Sequence, residues 1–326
     1  MNRKENILMQ KKLDWIYLAH LGYNMWYEPV EDKLGVHCVP YTSDKRFGYV
    51  HATDKMRFEN SRWEDLTRQL KEAGCTTILL DLGEGLQYES HPELAAEGAW
   101  SKEKLAEEIS RLKAMGIELL PKLNFSACHD QWMGEYGRML STSVYYRVAR
   151  DLISEVCELF DNPRMFHLGM DEETPQHQVR NNIMIIRQGD LWWYDLNRLA
   201  DFTRAAGSRP WIWSDYGWGH WDEFRNRMSR DIVQSNWYYG EFANSEPDLT
   251  YYTLYDKLES AGFDQIPAGS SCGSMKNFPM TVDYCGSRIA PERLLGYMQT
   301  VWAPVMEETK IWLDDSVNSM AEGIKR

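Results

Sequence analysis

The sequence predicts an α/β fold, a single closed (β/α)8 (TIM) barrel, and three observations predict it. Short apolar stretches with strand alternation are followed by amphipathic stretches with helical spacing, and the pairing recurs eight times between Leu13 and Ile324. The alternative arrangement, an open doubly wound sheet, usually opens on a glycine-rich phosphate turn, and no GxGxxG or GxxxxGK(S/T) occurs. Finally, the apolar run from Met165 ends in Asp171-Glu172-Glu173, and the C-terminal end of a strand is where such a barrel keeps its chemistry. No composition break, linker or repeat divides the chain, so residues 1–326 are expected to form one domain.

The first strand is Leu13 to His20, followed by a long aromatic loop to about Phe47. A helix spans Ser61 to Ala73, with Ser61 as its cap and Gly74 as its stop. Thr76 to Leu82 is the second strand, Ser101 to Met115 a helix capped by Ser101 and closed by Gly116. Ile117 to Asn124 is the third strand, and Ser143 to Phe160 a long helix with apolar positions at helical spacing. The fourth strand is Met165 to Asp171. Its alternation puts His167, Gly169 and Asp171 on one face and Leu168 and Met170 on the other. Glu172 reaches the same cavity as Asp171 only if the strand stops and the chain turns.

A helix at 190–206 and a strand at 210–215 come next. A short helix at 221–228, a strand at 232–237, a helix at 254–261 and a strand at 266–272 follow. Pro291 to Leu295 reads as a short helix, Gly296 to Trp302 as the eighth strand and Glu307 to Ile324 as the closing helix.

Thirty-six basic and 49 acidic side chains give a net charge of −13, which repels nucleic-acid phosphate and anionic lipid, so neither is expected as a partner. No apolar run approaches the ~18 residues of a membrane span. Met1 to Lys12 is charged and lacks a signal-peptide core, so the chain as given is expected to be cytoplasmic, or periplasmic or secreted if a leader has been trimmed. Six cysteines are spread without a CxxC, which favours free buried thiols over zinc or disulfides. With 14 Trp and 18 Tyr, two uses are open: a bulky core, or flat faces that stack on sugar rings.

The eight strand ends bring together His20, Asn24, Asp81, Glu84, Asn124, His129, Asp130, Asp171, Glu172 and Glu173. Trp213, Asp215, Trp237, Tyr238, Tyr239, Ser270, Ser271 and Trp302 complete the set. Carboxylates for proton transfer beside aromatic platforms are the inventory of a glycosidase. Each member also has an ordinary use: Asp81 and Asp215 as caps or loop residues, His129 and Asp130 at a turn, His167 as a core histidine, Glu173 as a cap. Like-charge repulsion within Asp171-Glu172-Glu173 is expected to raise a pKa. His167, Asp171 and Glu172 are the candidate metal ligands, but three adjacent acids lack dispersed histidine partners, so no metal and no cofactor are expected.

At His167-Leu168-Gly169-Met170-Asp171-Glu172 the sequence resembles the H-x-G-x-D-E motif of family-20 glycoside hydrolases, the β-N-acetylhexosaminidases. The similarity runs from about Leu13 to Pro304. Leu119 to Asn124 is similar to that family's third-strand motif, and the helix from Tyr145 with Asn162-Pro163 after it to the family's run into the acid strand. Trp213, Trp237 and Trp302 fall where the family places tryptophans around its −1 sugar. The resemblance implies retaining hydrolysis of a β-linked, N-acetylated sugar. In it Glu172 is the acid/base and Asp171 orients the 2-acetamido group, whose oxygen attacks the anomeric carbon.

The sequence also departs from that family. Its third-strand Asp is Asn124 here, and Pro-Gly-His is Ser126-Ala127-Cys128, with His129 one place late. The seventh strand, Pro267 to Cys272, lacks the family's Tyr and Asp, and Tyr238 or Tyr239 is the candidate replacement for the Tyr. Two further readings stay open: a carbohydrate-binding barrel without turnover, and a glycosidase of other specificity using Asp81, Glu84 or Asp215 as a second carboxylate.

Overall fold

Eight parallel strands carry the molecule: β1 (Asp14–His20), β2 (Thr77–Asp81), β3 (Glu118–Lys122), β4 (Met165–His167), β5 (Arg209–Trp213), β6 (Val233–Ser235), β7 (Ala268–Ser270) and β8 (Gly296–Thr300). The structure, a computed structural model, describes residues 13–29, 49–179, 181–242 and 248–326. The order is β6-β5-β4-β3-β2-β1-β8-β7. Bridges from Gln234 to Gln265 and from Trp237 to Ala268 join the two outer members, so the ring closes as expected.

Strand parity separates two cores. Ile16, Leu18, Leu79, Leu120, Met165, Trp211, Val233 and Met298 point inward and fill the barrel. Tyr17, Ala19, Ile78, Leu80, Phe166, Leu168 and Ile212 point outward, beneath the helices. Burial of both faces is why these strands read as nearly continuous apolar runs.

The helices are α1 (Asn60–Ala73), α2 (Lys102–Ala114), α3 (Ser143–Leu159), α4 (Asp190–Ala205), α5 (Tyr216–Gly219), α6 (Trp221–Arg227), α7 (Asp248–Tyr252), α8 (Leu254–Ser260), α9 (Asn277–Gly286) and α10 (Lys310–Ile324). Ser101 caps α2 by accepting the Lys104 N–H, and Gly74 ends α1 in the left-handed conformation. Ser61 is not a cap: α1 begins one residue earlier, after Glu59, whose side chain makes no capping bond.

Two segment readings are corrected. Pro291–Leu295 is a turn rather than a helix, and the helix of that unit is α9. Its stretch, Asn-Phe-Pro-Met-Thr-Val-Asp-Tyr-Cys-Gly, carries an internal proline and closely spaced β-branched residues that mask helical periodicity. The ladder of β4 ends at His167 instead of Asp171. Single bonds still hold Leu168 to Trp211 and Gly169 to Trp213, and then Gly169, Met170 and Glu172 take φ of 74°, 74° and 56°.

Cys75, Cys128, Cys157, Cys272 and Cys285 are free thiols; Cys38, the 30–48 part of the first loop and the first twelve residues lie outside the described residues. Among the described residues no helix is long and apolar enough to cross a membrane.

Candidate active site

The left-handed turn after β4 delivers two consecutive acids to one place. Gly169 makes it possible: a Cβ there would lie 1.8 Å from Asn124 Oδ1. Asn124 in turn donates from Nδ2 to Asp171 Oδ1 at 3.0 Å, and its Oδ1 accepts the Ser126 N–H at 3.0 Å. Ser126 Oγ donates to the Asp171 carbonyl. The Glu172 N–H donates to Asp215 Oδ2 at 2.8 Å, which fixes the turn from the opposite wall.

His129 stands against both acids. Its Nδ1 lies 3.3 Å from Asp171 Oδ1 and its Nε2 3.2 Å from Glu172 Oε2. A second imidazole, His177, places Nε2 3.3 Å from Glu172 Oε1, while its Nδ1 is 2.8 Å from Thr174 Oγ1. Burial works against charge on His129, but the carboxylates of Asp171 and Glu172 outweigh it and push its pKa up to about 10. Burial would raise Glu172, yet hydrogen bonds from His129 and His177 hold it well below the usual carboxylate range. Asp171 is also held low, its burial overcome by His129. His177 is raised, chiefly by Glu172.

The like-charge repulsion expected to raise a pKa within Asp171-Glu172-Glu173 therefore raises neither Asp171 nor Glu172. Two imidazoles face Glu172, and Glu173 turns away from it. Glu173 pairs with fully buried Arg187 and accepts the Ala127 N–H at 3.0 Å. The raised carboxyl is Asp215, pushed up to about 7 by burial and then by the charges of Asp171 and Glu172.

Above these groups opens a cavity of about 320 Å³. Asp171, Glu172, His129 and His177 form its polar side, and Tyr23, Trp26, Tyr27, Trp213, Trp237, Tyr239 and Trp302 its aromatic side. Trp213 and Trp302 lie 6.1 Å apart, Trp26 and Trp302 6.3 Å, and Trp237 and Tyr239 5.1 Å. Trp302 Nε1 donates to the Tyr239 hydroxyl at 3.1 Å, and its backbone, at φ 50°, offers its carbonyl to the Tyr23 hydroxyl at 2.7 Å. Tyr23, Trp302 and Tyr239 thus present apolar faces to a ligand while their polar groups stay bonded to one another.

Of the residues singled out in the sequence, Asp171, Glu172, His129, Trp213, Trp237, Tyr239 and Trp302 line the cavity. Five do not. Asn124 and Asp215 stand behind it, holding Asp171 and the Glu172 backbone; Asp215 also accepts from Trp237 Nε1 at 3.4 Å. Asp81 lies deeper in an ion pair with Lys122, which with His20 overcomes burial and keeps its carboxylate charged. His167 is wedged between Trp211 and Trp213, each ring centre 4.8 Å away, and its Nδ1 accepts the Gly169 N–H at 3.0 Å. Tyr238 points out of the barrel, its hydroxyl donating to the Glu241 carbonyl at 2.7 Å.

The sequence reading missed Tyr23, Trp26, Tyr27, His177 and Cys272. The aromatic density of the first loop was the available signal for the first three. His177 and Cys272 gave none, because tertiary folding alone brings them to the rim.

His129, Asp171 and Glu172 each offer one ligand atom within 4.8 Å of one another, so among the described residues these three, and not His167 with the two acids, are the group able to hold a metal ion. His129 already bridges the two carboxylates, and a metal would have to displace its proton.

Solved structures share this fold. An exo-β-N-acetylglucosaminidase of glycoside hydrolase family 20 from Vibrio harveyi matches at TM-score 0.59 with 14% identity, over 82% of this chain and 52% of that one. A chitobiase from Flavobacterium johnsoniae matches at TM-score 0.58 with 15% identity, over 82% of this chain and 47% of that one. A β-N-acetylhexosaminidase from Bacteroides fragilis NCTC 9343 matches at TM-score 0.60 with 14% identity, over 95% of this chain and 65% of that one. The chain thus spans about half the length of the first two. No protein-family model and no curated protein matches it. At these identities the likeness establishes the barrel, and the chemistry has to be argued from the site.

Proposed function

We propose that this barrel is a glycoside hydrolase that releases a β-linked N-acetylated sugar by a substrate-assisted, retaining route. One observation carries the reading: consecutive acids, Asp171 and Glu172, are turned by a left-handed backbone onto the floor of an aromatic cavity. The cavity volume is at the low end of the ~300–1,000 Å³ of ligand sites, which suits one sugar residue. Its tryptophan faces suit the apolar side of a pyranose ring and the methyl of an acetamido group. The carbohydrate is the partner this site calls for.

In this mechanism Asp171, held charged by His129, accepts the acetamido N–H and turns the acetamido oxygen toward C1. That oxygen bonds to C1 as the bond to the leaving oxygen breaks, and Glu172 gives the leaving oxygen its proton. Water then attacks C1, the C1–oxygen bond of the cyclic intermediate reopens, and Glu172 takes the proton of the water. Anomeric configuration is retained. The first step requires a proton on Glu172, and His129 and His177, one on each of its oxygens, are the neighbours able to exchange it. Tyr239, whose hydroxyl accepts from Trp302 Nε1, is the group assigned in this scheme to the acetamido carbonyl.

A scheme with a separate enzymic nucleophile is less well supported. Asp81 is bound to Lys122, Asp215 to the Glu172 backbone and Trp237, and Glu84 to the backbone N–H groups of Tyr23 and Asn24. None of them lines the cavity.

A specific observation favours a second reading, glycan binding without turnover: in the ligand-free site Glu172 is held ionised by two imidazoles. Aryl N-acetyl-β-glucosaminide hydrolysis by wild type and Glu172→Gln decides between them. The hydrolase reading expects a measurable wild-type rate that drops by about 10²–10⁴ in the variant. Equal, negligible rates with glycan binding retained would leave the binding reading.

A further inference from the structure

The chain leaves β1 through four consecutive residues whose N–H groups are all accepted at the end of β2. Those of Leu21 and Gly22 donate to the Asp81 carbonyl at 2.8 and 3.1 Å. The next two, of Tyr23 and Asn24, donate to Oε1 of Glu84 at 2.7 and 3.0 Å. Where the strand pairing runs out, a side-chain carboxylate takes over from a backbone carbonyl. Two glycines let the segments approach this closely. A Cβ on Gly22 would lie 2.6 Å from the Leu82 carbonyl oxygen and 2.7 Å from Glu84 Oε2, and one on Gly85 would lie 2.7 Å from the Leu21 carbonyl carbon.

This carboxylate holds the start of the aromatic wall. Tyr23, Trp26 and Tyr27 line the cavity from the same segment. The Tyr23 ring meets Trp26 edge-on with 5.4 Å between centres, and its hydroxyl donates to the Trp302 carbonyl at 2.7 Å. Asn24 is fixed from its other side, accepting the Thr53 N–H at 3.0 Å and donating to the Thr53 carbonyl at 2.7 Å. Glu84 itself is buried and stands outside the cavity. Burying a carboxyl is costly, and the bonds to Tyr23 and Asn24 are what offsets that cost.

We propose that Glu84 is the positioning residue of this wall: it seats Tyr23 and Trp26, and Trp302 through Tyr23, and so sets the affinity of the cavity for a sugar that it does not touch. The proposal rests on the carbohydrate reading of the cavity and not on turnover. Charge is part of the device, because an ionised acceptor makes the stronger hydrogen bond. Glu84 Oε2 has no hydrogen-bond partner among the described residues. Burial, with the charge of Asp81 adding to it, pushes the carboxyl up to about 7 against the pull of the Tyr23 and Asn24 N–H groups. Arg57 and the Tyr88 phenol are the other ionisable groups that feel its charge. The seat is therefore firm above about pH 7 and slackens below it.

The test uses the full chain with Glu84→Gln, which keeps an acceptor oxygen without the charge, and with Glu84→Ala, which keeps neither. Hydrogen–deuterium exchange of the 21–27 segment at pH 8 reads the seat without a ligand. Calorimetry with N-acetylglucosamine at pH 6 and pH 8 reads the affinity. Exchange is expected to be slowest in wild type, faster in Glu84→Gln and fastest in Glu84→Ala. At pH 8 wild type should bind about tenfold more tightly than Glu84→Ala and about threefold more tightly than Glu84→Gln, and at pH 6 wild type and Glu84→Gln should converge. Asp215 titrates in the same range but is common to both proteins, so their difference isolates Glu84. On an aryl N-acetyl-β-glucosaminide the loss should fall on KM, with kcat within about threefold. Equal affinities at both pH values, a loss in kcat at unchanged KM, or unchanged exchange in Glu84→Ala overturns the proposal. If Glu84→Ala does not fold, the pH comparison of wild type with Glu84→Gln decides alone. Faster exchange in the variants with no sugar bound even by wild type upholds the seat, but overturns the carbohydrate reading and the claim on affinity with it.

Discussion

His129 Nε2 lies 3.2 Å from Glu172 Oε2, and this contact decides where the proton of the site resides. With Asp171 on its other nitrogen, the imidazole holds that proton until about pH 10, while Glu172 beside it is held ionised. The unit that gives a proton to a leaving group is therefore the His129–Glu172 pair.

That pairing sets the pH profile. In wild type the alkaline limb of kcat/KM is expected near pH 10, where the pair loses its proton. In His129→Asn, Glu172 titrates without its main cation, and the limb should move down by more than about two pH units. Initial rates on an aryl glycoside from pH 4 to 11 measure the shift, and an unmoved limb would assign the proton elsewhere.

The same groups bear on stability. The folded pKa of His129, about 10, exceeds its unfolded value near 6.5, so its contribution is fully present below about pH 6.5 and is lost as pH rises through 10. Asp171 and Glu172 are depressed, so theirs is present above about pH 4.3 and is lost as pH falls further. Urea unfolding should show wild type more stable than His129→Gln between about pH 5 and 9, with the gap closing above pH 10. A gap that persists at pH 11 would mean that packing, not charge, holds His129.

Gly169→Ala tests the turn. Its Cβ would meet Asn124 Oδ1, and φ of 74° disfavours any side chain. A loss of about 1–3 kcal/mol in unfolding free energy is expected, with a fall in kcat/KM because Asn124 orients Asp171. Wild-type stability and turnover in this variant would show that the turn relaxes freely.

Tyr239 and Tyr238 separate cleanly. Tyr239→Phe removes a hydroxyl that accepts from Trp302 inside the cavity, and kcat/KM should drop about tenfold, some 1.4 kcal/mol of transition-state binding. Tyr238→Phe removes a hydroxyl bonded to the Glu241 carbonyl outside it and should leave kcat/KM within about twofold. Steady-state kinetics on both variants suffices, and equal losses would count against the assignment.

Much of the barrel was legible because strand parity is a local signal. The alternation of Met165 to Met170 foretold which side chains fill the barrel and which meet the helices. Its end was not legible, since positive φ at Met170 and Glu172 contradicts the preference of those residue types and is imposed by the surrounding structure. Helix α9 was missed for a related reason: Pro279, Thr281 and Val282 lower helical preference, and burial overrides it. In the site, the acids announced themselves by their position after a strand. Their charge states did not, because these depend on His129 and His177, which arrive from other segments. Tyr238 and Tyr239 are adjacent and alike, and only the exit direction of the chain after β6 separates them.

The crowding of indoles around the cavity makes the site its own optical probe. Trp26 and Trp213 both stand within about 6.3 Å of Trp302, close enough for their ultraviolet transitions to couple. A ligand that packs against these rings changes their surroundings and that coupling directly. Circular dichroism in the indole bands, and quenching of emission, can therefore follow occupancy on unlabelled protein with a natural, non-chromogenic glycan, and so time its arrival and departure independently of whether a bond is cut.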